Sequence, residues 1–180
     1  IFQDPSAALN PVFTIEKQLV TGLRYSFEHN VDRKEVYEKV IQALNDVSLP
    51  DPERIMKSYP FQLSGGMRQR VCIAASLAAD KKLLLADEPG TALDVTIQDQ
   101  ILRLIKRLVE SGELSVVMVT HSLGVIRQVT TTVNIMYAGT IVEGGETKQV
   151  FENPQHPYTR GLLKTVPRLD MEKTAPLVPI

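Results

Sequence analysis

Cysteine is nearly absent. Cys72 stands alone among 180 residues, which excludes a disulfide framework within the chain and any cysteine-rich metal cluster, and makes a reduced compartment the simple reading. Long apolar runs are also missing: none approaches the ~20 residues a helix needs to span a bilayer. Yet 43% of residues are hydrophobic, enough for a core of domain size. Neither sign of charge dominates. Twenty Lys and Arg against 21 Asp and Glu leave a net charge of −1, which gives no electrostatic footprint for nucleic acid. Repeats and low-complexity tracts do not occur. No Gly-Lys dipeptide is present either, so these residues contain no G-x-x-x-x-G-K-[ST] loop to cradle phosphates. The chain opens on Ile1-Phe2-Gln3 with neither an initiator Met nor a secretory pattern, so a truncated beginning is expected.

What is present falls into three segments, 1–63, 64–145 and 146–180. Residues 14–58 read as helices. Asp32 and Glu35 resemble a capping box, followed by Val36, Val40, Ile41, Leu44 and Val47 at helical spacing. Pro50, Pro52 and Pro60 then interrupt the chain. Two short apolar runs, Leu83–Ala86 and Val116–Val119, predict strands of a parallel sheet buried on both faces. Between them Ile97, Ile101, Leu104, Ile105 and Leu108 make one face of a helix that Gly112 closes, giving a βαβ unit and an open α/β sheet. Beyond Gly144-Gly145 the prolines recur at Asn153-Pro154-Gln155-His156-Pro157-Tyr158. The stretch through Pro167, Pro176 and Pro179 reads as extended or loosely held.

Chemistry concentrates in two places. The run Leu83-Leu84-Leu85-Ala86 ends in Asp87-Glu88-Pro89, and ligands of open α/β sheets sit beyond the carboxyl ends of the strands. An Asp there can hold Mg²⁺ and an adjacent Glu can polarise an attacking water. Two solvated turn acids would be an equally good reading of that pair alone. Leu63-Ser64-Gly65-Gly66-Met67-Arg68-Gln69-Arg70 is more specific. Ser64 is a good N-cap for a helix through Ala79, and two glycines in the first turn leave backbone N–H groups open to a phosphate. Each such glycine costs roughly 1 kcal/mol against Ala in a helix interior, so a softened helix start is the weaker explanation.

At these residues the chain resembles the ATP-binding subunits of ABC transporters. Leu63–Arg70 resembles their signature and Leu83–Pro89 their Walker B strand. Ala92-Leu93-Asp94 resembles the D-loop, His121 the switch histidine, and Gln3 the Gln loop. The resemblance covers essentially the whole chain. It implies a P-loop NTPase-like α/β nucleotide-binding domain, truncated at its N-terminus, with a helical subdomain and a C-terminal tail.

The resemblance also implies roles. Asp87 and Gln3 would attend Mg²⁺, Glu88 would be the general base toward water, and His121 would bind the γ-phosphate and orient Glu88. Ser64, Gly65 and Gly66, with Gln69, would bind the ATP held by a second ABC ATPase subunit, and Asp94 would couple the two sites. Gln3 and residues 14–58 would meet transmembrane permease subunits on the cytoplasmic face of the membrane, serving a substrate-binding protein indirectly. Asp4–Pro11 and Val150–Thr159 resemble ATPases of oligopeptide, dipeptide and nickel importers. ABC ATPases acting on DNA or ribosomes share the signature, but the heptads, Cys clusters or basic stripe they would bring are not visible. A non-catalytic structural module is the other alternative; the intact acids and His121 oppose it. Three departures from the family pattern stand out: Gly90 in place of Thr or Ser, Ser122 in place of Asp, and Thr131-Thr132 in place of Asp-Arg. Gly90 would soften the turn that carries Glu88.

Overall fold

The structure, a computed structural model, describes residues 1–25, 32–79, 81–112 and 114–165, which fall into two compact units, Ile1–Val119 and Thr120–Ile180. The first unit opens with a short helix, α1 (Pro5–Ala8), and its α2 (Ile15–Arg24), α3 (Arg33–Asp46), α4 (Pro52–Lys57) and α5 (Gly65–Ala78) share one core, with Ile15, Val36, Leu44, Met56 and Ile73 almost fully excluded from water. Thr14 caps α2 by accepting from the Lys17 N–H at 3.3 Å. At α3 the expected capping box does not form. Asp32 occupies the N-cap position, but its side chain makes no capping bond, and Glu35 reaches forward to Lys39 at 3.4 Å. An i,i+4 ion pair with Glu on the N-terminal side competes for that carboxylate. The end of α3 is held by α5 instead: Arg70 donates to the carbonyl of Ser48, a residue at φ +57°, at 2.6 Å.

Strands β1 (Leu83–Asp87) and β2 (Ser115–Val119) pair in parallel, Leu83 opposite Ser115 and Asp87 opposite Val119. They are joined through α6 (Val95–Glu110), whose Ile101 and Ile105 enter the core, and Gly112 at φ +77° follows its end. The predicted βαβ unit is therefore present, but burial on both faces is not. Leu84 and Ala86 are buried, whereas Leu83, Leu85, Val117 and Val119 are each more than half exposed. Strand alternation puts those four on one face, and no described element of the first unit covers it. The helical core takes only the other side, where Val116 packs against it. Ile1 lies along the free edge of β1: its nitrogen donates to the Leu85 carbonyl at 2.6 Å, and its carbonyl accepts from the Asp87 N–H at 3.0 Å.

The second unit begins with α7 (Leu123–Val129). Strands β3 (Thr132–Tyr137) and β4 (Thr140–Glu146) then form an antiparallel hairpin. Its two-residue turn, Ala138 at φ +46° and Gly139 at φ +78°, has the left-handed pair that matches strand twist. The Pro-spaced segment is helical: α8 (Thr147–Glu152) and α9 (Pro157–Lys164) follow, with Val150 packed against Val133 and Ile135. Pro157 suits the first turn of α9, where its missing N–H is not needed, and His156 Nδ1 accepts from the Tyr158 N–H at 3.1 Å. Residues 166–180, expected to be extended, lie outside the described residues.

Candidate functional site

The site is built at the carboxyl end of β1. Asp87 is the last strand residue; by alternation its side chain shares the uncovered face with Leu83 and Leu85. Glu88 follows at φ +43°, in the left-handed region. For a non-glycine residue that conformation costs about 1–2 kcal/mol and persists only where neighbours over-determine it. They do so here. The Glu88 N–H extends the sheet by donating to the Val119 carbonyl at 2.9 Å. The Glu88 carbonyl accepts from the Thr91 N–H at 3.3 Å and from the Thr91 hydroxyl at 3.1 Å. The carboxylate is oriented separately: its Oε2 accepts from Gln3 Nε2 at 3.3 Å and from Thr91 Oγ1 at 3.0 Å.

The start of α5 lies against the same loop. Ser64 caps the helix, its hydroxyl accepting from the Met67 N–H at 3.2 Å. The two glycines have different reasons. A Cβ on Gly66 would stand 3.2 Å from the Ala92 carbonyl oxygen, so this position lets the helix approach the loop. A Cβ on Gly65 would meet nothing within 4 Å, so the space there is open to a ligand at the positive helix end. Gln69, expected among the nucleotide-binding residues, has no solvent exposure. Its Nε2 donates to the Pro89 carbonyl at 2.6 Å and more weakly to that of Glu88 at 3.4 Å, and its Oε1 accepts from the Ala92 N–H at 3.0 Å. Asp94 caps α6 by accepting from the Ile97 N–H at 3.0 Å and is exposed.

Gly90 also has a structural reason. A Cβ there would fall 2.5 Å from Gln98 Nε2 and 2.9 Å from its Cδ and Cγ, because the Gln98 side chain lies across the position that a Thr or Ser would fill. The turn is thus backed by Gln98 rather than left loose.

The first unit therefore brings together Gln3, Asp87 and Glu88, with Gln69 and the Ser64–Gly66 turn bordering the loop that runs to Asp94. His121 is exposed and belongs to the second unit, two residues beyond the end of β2. Thr91 is the contact that sequence reasoning missed; a hydroxyl three residues after the candidate base was its available signal. Among the described residues no group of three or more His, Cys, Asp or Glu could cage a metal. Two adjacent carboxylates with an amide nearby suit Mg²⁺ of the kind that takes one or two protein ligands and completes its shell with phosphates and water.

A parallel sheet with acids at its carboxyl edge, beside a glycine-opened helix start, defines a nucleotide-binding domain of the α/β class. Comparison with known proteins makes the class specific. Residues 1–91 match the ABC transporter family, 142–180 match the oligopeptide/dipeptide transporter C-terminal region, and 57–127 also match an AAA domain family. The chain belongs to the ABC transporter ATP-binding family. It is 49% identical to the dipeptide transport ATP-binding protein of Bacillus subtilis strain 168, over 100% of this chain and 53% of that protein. To the glutathione import ATP-binding protein of Escherichia coli K12 it is 47% identical, over 96% of this chain and 27% of that protein. An ATP-binding cassette solved as a dimer in a post-hydrolysis state, bound to ADP and Pi, superposes with a TM-score of 0.73 at 30% identity, covering 82% of this chain and 61% of that one. The chain spans about half the length, or less, of the curated relatives it matches.

Proposed function

We propose that this chain belongs to an ATP-hydrolysing subunit that powers uptake of short peptides. The observation that carries the reading is the Glu88 carboxylate, held at the end of β1 by Gln3 and Thr91 on a backbone pinned into a left-handed conformation. Strain of this kind, kept in place by several bonds, is what a site with a fixed geometric task requires. Glu88 takes the proton of the attacking water as that water adds to the γ-phosphorus, and ADP leaves with the electron pair of the broken P–O bond. Asp87 and Gln3 would hold Mg²⁺, and the ion would supply neutralisation of phosphate charge. His121 donates a hydrogen bond to the γ-phosphate, a role supported by its position after β2. The backbone N–H groups at Gly65 and Gly66, with the Ser64 hydroxyl, receive the γ-phosphate of ATP held by a second ATPase subunit. The open space at Gly65 supports this, as does the dimeric state of the matched cassette. Asp94 lies on the loop that links the Glu88 turn to α6 and couples the two nucleotide sites.

Permease subunits and, indirectly, a substrate-binding protein complete the assembly on the cytoplasmic face of the membrane. Among the described residues no helix is long and apolar enough to cross it. Short peptides are the cargo favoured by the match over residues 142–180 and by the relatives' names.

Glu88→Gln in the full-length protein tests the chemistry. Gln keeps the shape but cannot take the proton, so turnover drops by about 100-fold or more while ATP-driven dimerisation persists. Near-normal turnover would move the base elsewhere. For cargo, a deletion strain carrying the full-length gene should regain uptake of labelled dipeptides. Recovery of nickel or sugar uptake with peptide uptake unchanged would refute the assignment.

A further inference from the structure

We infer that Gln69 is a positioning residue for Glu88 rather than a ligand of nucleotide. The inference rests on the proposed ATPase reading and adds a residue to it. Gln69 sits on the second turn of α5, five residues after the helix N-cap, and is fully buried. Its primary amide offers two donors and an acceptor, and the loop after β1 engages both ends of it. One end holds the carbonyls of Pro89 and, at longer range, Glu88; the other holds the N–H of Ala92. A single side chain therefore bridges the loop on either side of Gly90, the position whose lack of a side chain lets Gln98 lie across the turn.

The bridge matters because of what the loop carries. Glu88 sits in a backbone well that side-chain sterics disfavour, and it stays there only while its neighbours fix both flanking peptides. The Val119 carbonyl fixes the peptide before it and Thr91 grips the one after it. Gln69 arrives from α5, so it ties the catalytic turn to that helix as Val119 ties it to β2. A Cβ on Gly66 of the same helix would stand 3.2 Å from the Ala92 carbonyl, so the start of α5 lies close to the residue whose N–H Gln69 holds, and movement there reaches the Glu88 turn. No ligand can reach the Gln69 amide without breaking these bonds.

The test uses the full-length protein with Gln69→Met, which keeps approximate length and volume but abandons the bridge, and Gln69→Asn, which stays polar and falls one methylene short. Hydrogen exchange is followed by mass spectrometry over the peptide covering 88–94, alongside steady-state ATPase kinetics. Both variants should exchange about 10-fold faster in that peptide, with α5 peptides unchanged, and kcat should fall about 10-fold at constant KM for ATP. Wild-type exchange in the loop, or a raised KM at unchanged kcat, overturns the inference; the latter would return Gln69 to the nucleotide-binding set. Should the wild-type protein hydrolyse no ATP, the functional reading fails. The exchange arm still decides whether Gln69 holds the loop.

Discussion

Restoring a side chain at Gly90 isolates the fit between the Glu88 turn and α6. Consider Gly90→Ser, one of the residues that the family pattern favours there. The φ of Gly90 lies outside the left-handed region, so the substitution meets no backbone penalty. Removing a glycine from the unfolded chain should by itself stabilise by about 0.4–1 kcal/mol. Against this stands the overlap with Gln98. Its amide end could swing away cheaply, but Cγ at 2.9 Å forces rotation nearer the backbone. Overpacking of this type costs about 1–3 kcal/mol. The steric term wins, and the single variant should be destabilised by roughly 0.5–2 kcal/mol. In a Gln98→Ala background the overlap is gone and only the favourable term remains. Urea unfolding of the four proteins, read as a double-mutant cycle, should return a coupling of about 1–3 kcal/mol. A stabilising single Gly90→Ser, or a coupling near zero, would show that Gln98 does not back this turn.

Three further outcomes are expected. Glu143 is pushed up by burial, but the Gln155 N–H, Thr159 and His156 outweigh that and hold its carboxyl below the ordinary glutamate range. The N–H bonds from Gln155 at 2.7 Å and His156 at 3.0 Å carry this effect, since Thr159 Oγ1 reaches no partner at full hydrogen-bond geometry. A folded value below the unfolded one means stability present above the unfolded value, about 4.3, and lost as pH falls through the folded one. Near-ultraviolet circular dichroism of the Tyr137–Tyr158 pair should therefore fade below pH 4 in wild type and show no such dependence in Glu143→Gln. Burial pushes the Cys72 thiol up to about 11, so at pH 8 Ellman's reagent should label the native protein about 100-fold or more slowly than the urea-unfolded chain, and rapid native labelling would contradict the burial. Ser64→Ala should cost about 1 kcal/mol through loss of the α5 cap; an unchanged urea midpoint would mean the cap contributes nothing.

The sequence was most readable where period and chemistry agree. The apolar runs before Asp87 and Val119 and the spaced Ile97, Ile101 and Ile105 predict strand, strand and helix, and all three form. Ser64 caps its helix as its residue type suggests. What stayed hidden depends on tertiary placement. Nothing local reports that Glu88 adopts a left-handed backbone, because the bonds that hold it come from Val119, Thr91 and Gln69. Gln69 on an otherwise mixed helix face carries no sign of full burial. Asp32 and Glu35 had the right spacing for a capping box, but Lys39 competed for the glutamate. The Pro spacing after Gly145 does not announce a helix, yet Pro157 opens one because His156 supplies the cap.

The uncovered side of the β1–β2 sheet has a practical consequence for the chain handled alone. Leu83, Leu85, Val117 and Val119 form an exposed apolar surface across two paired strands, and the net charge of −1 supplies almost no mutual repulsion between molecules. Exposed apolar strands with little charge are the usual seeds of self-association. Colloidal stability should therefore be poorest near the isoelectric point of about 6.4. A single lysine placed mid-sheet, as in Val117→Lys, would break the surface with a charge while leaving Asp87, Glu88 and their partners in place, so it offers a route to soluble material of this chain.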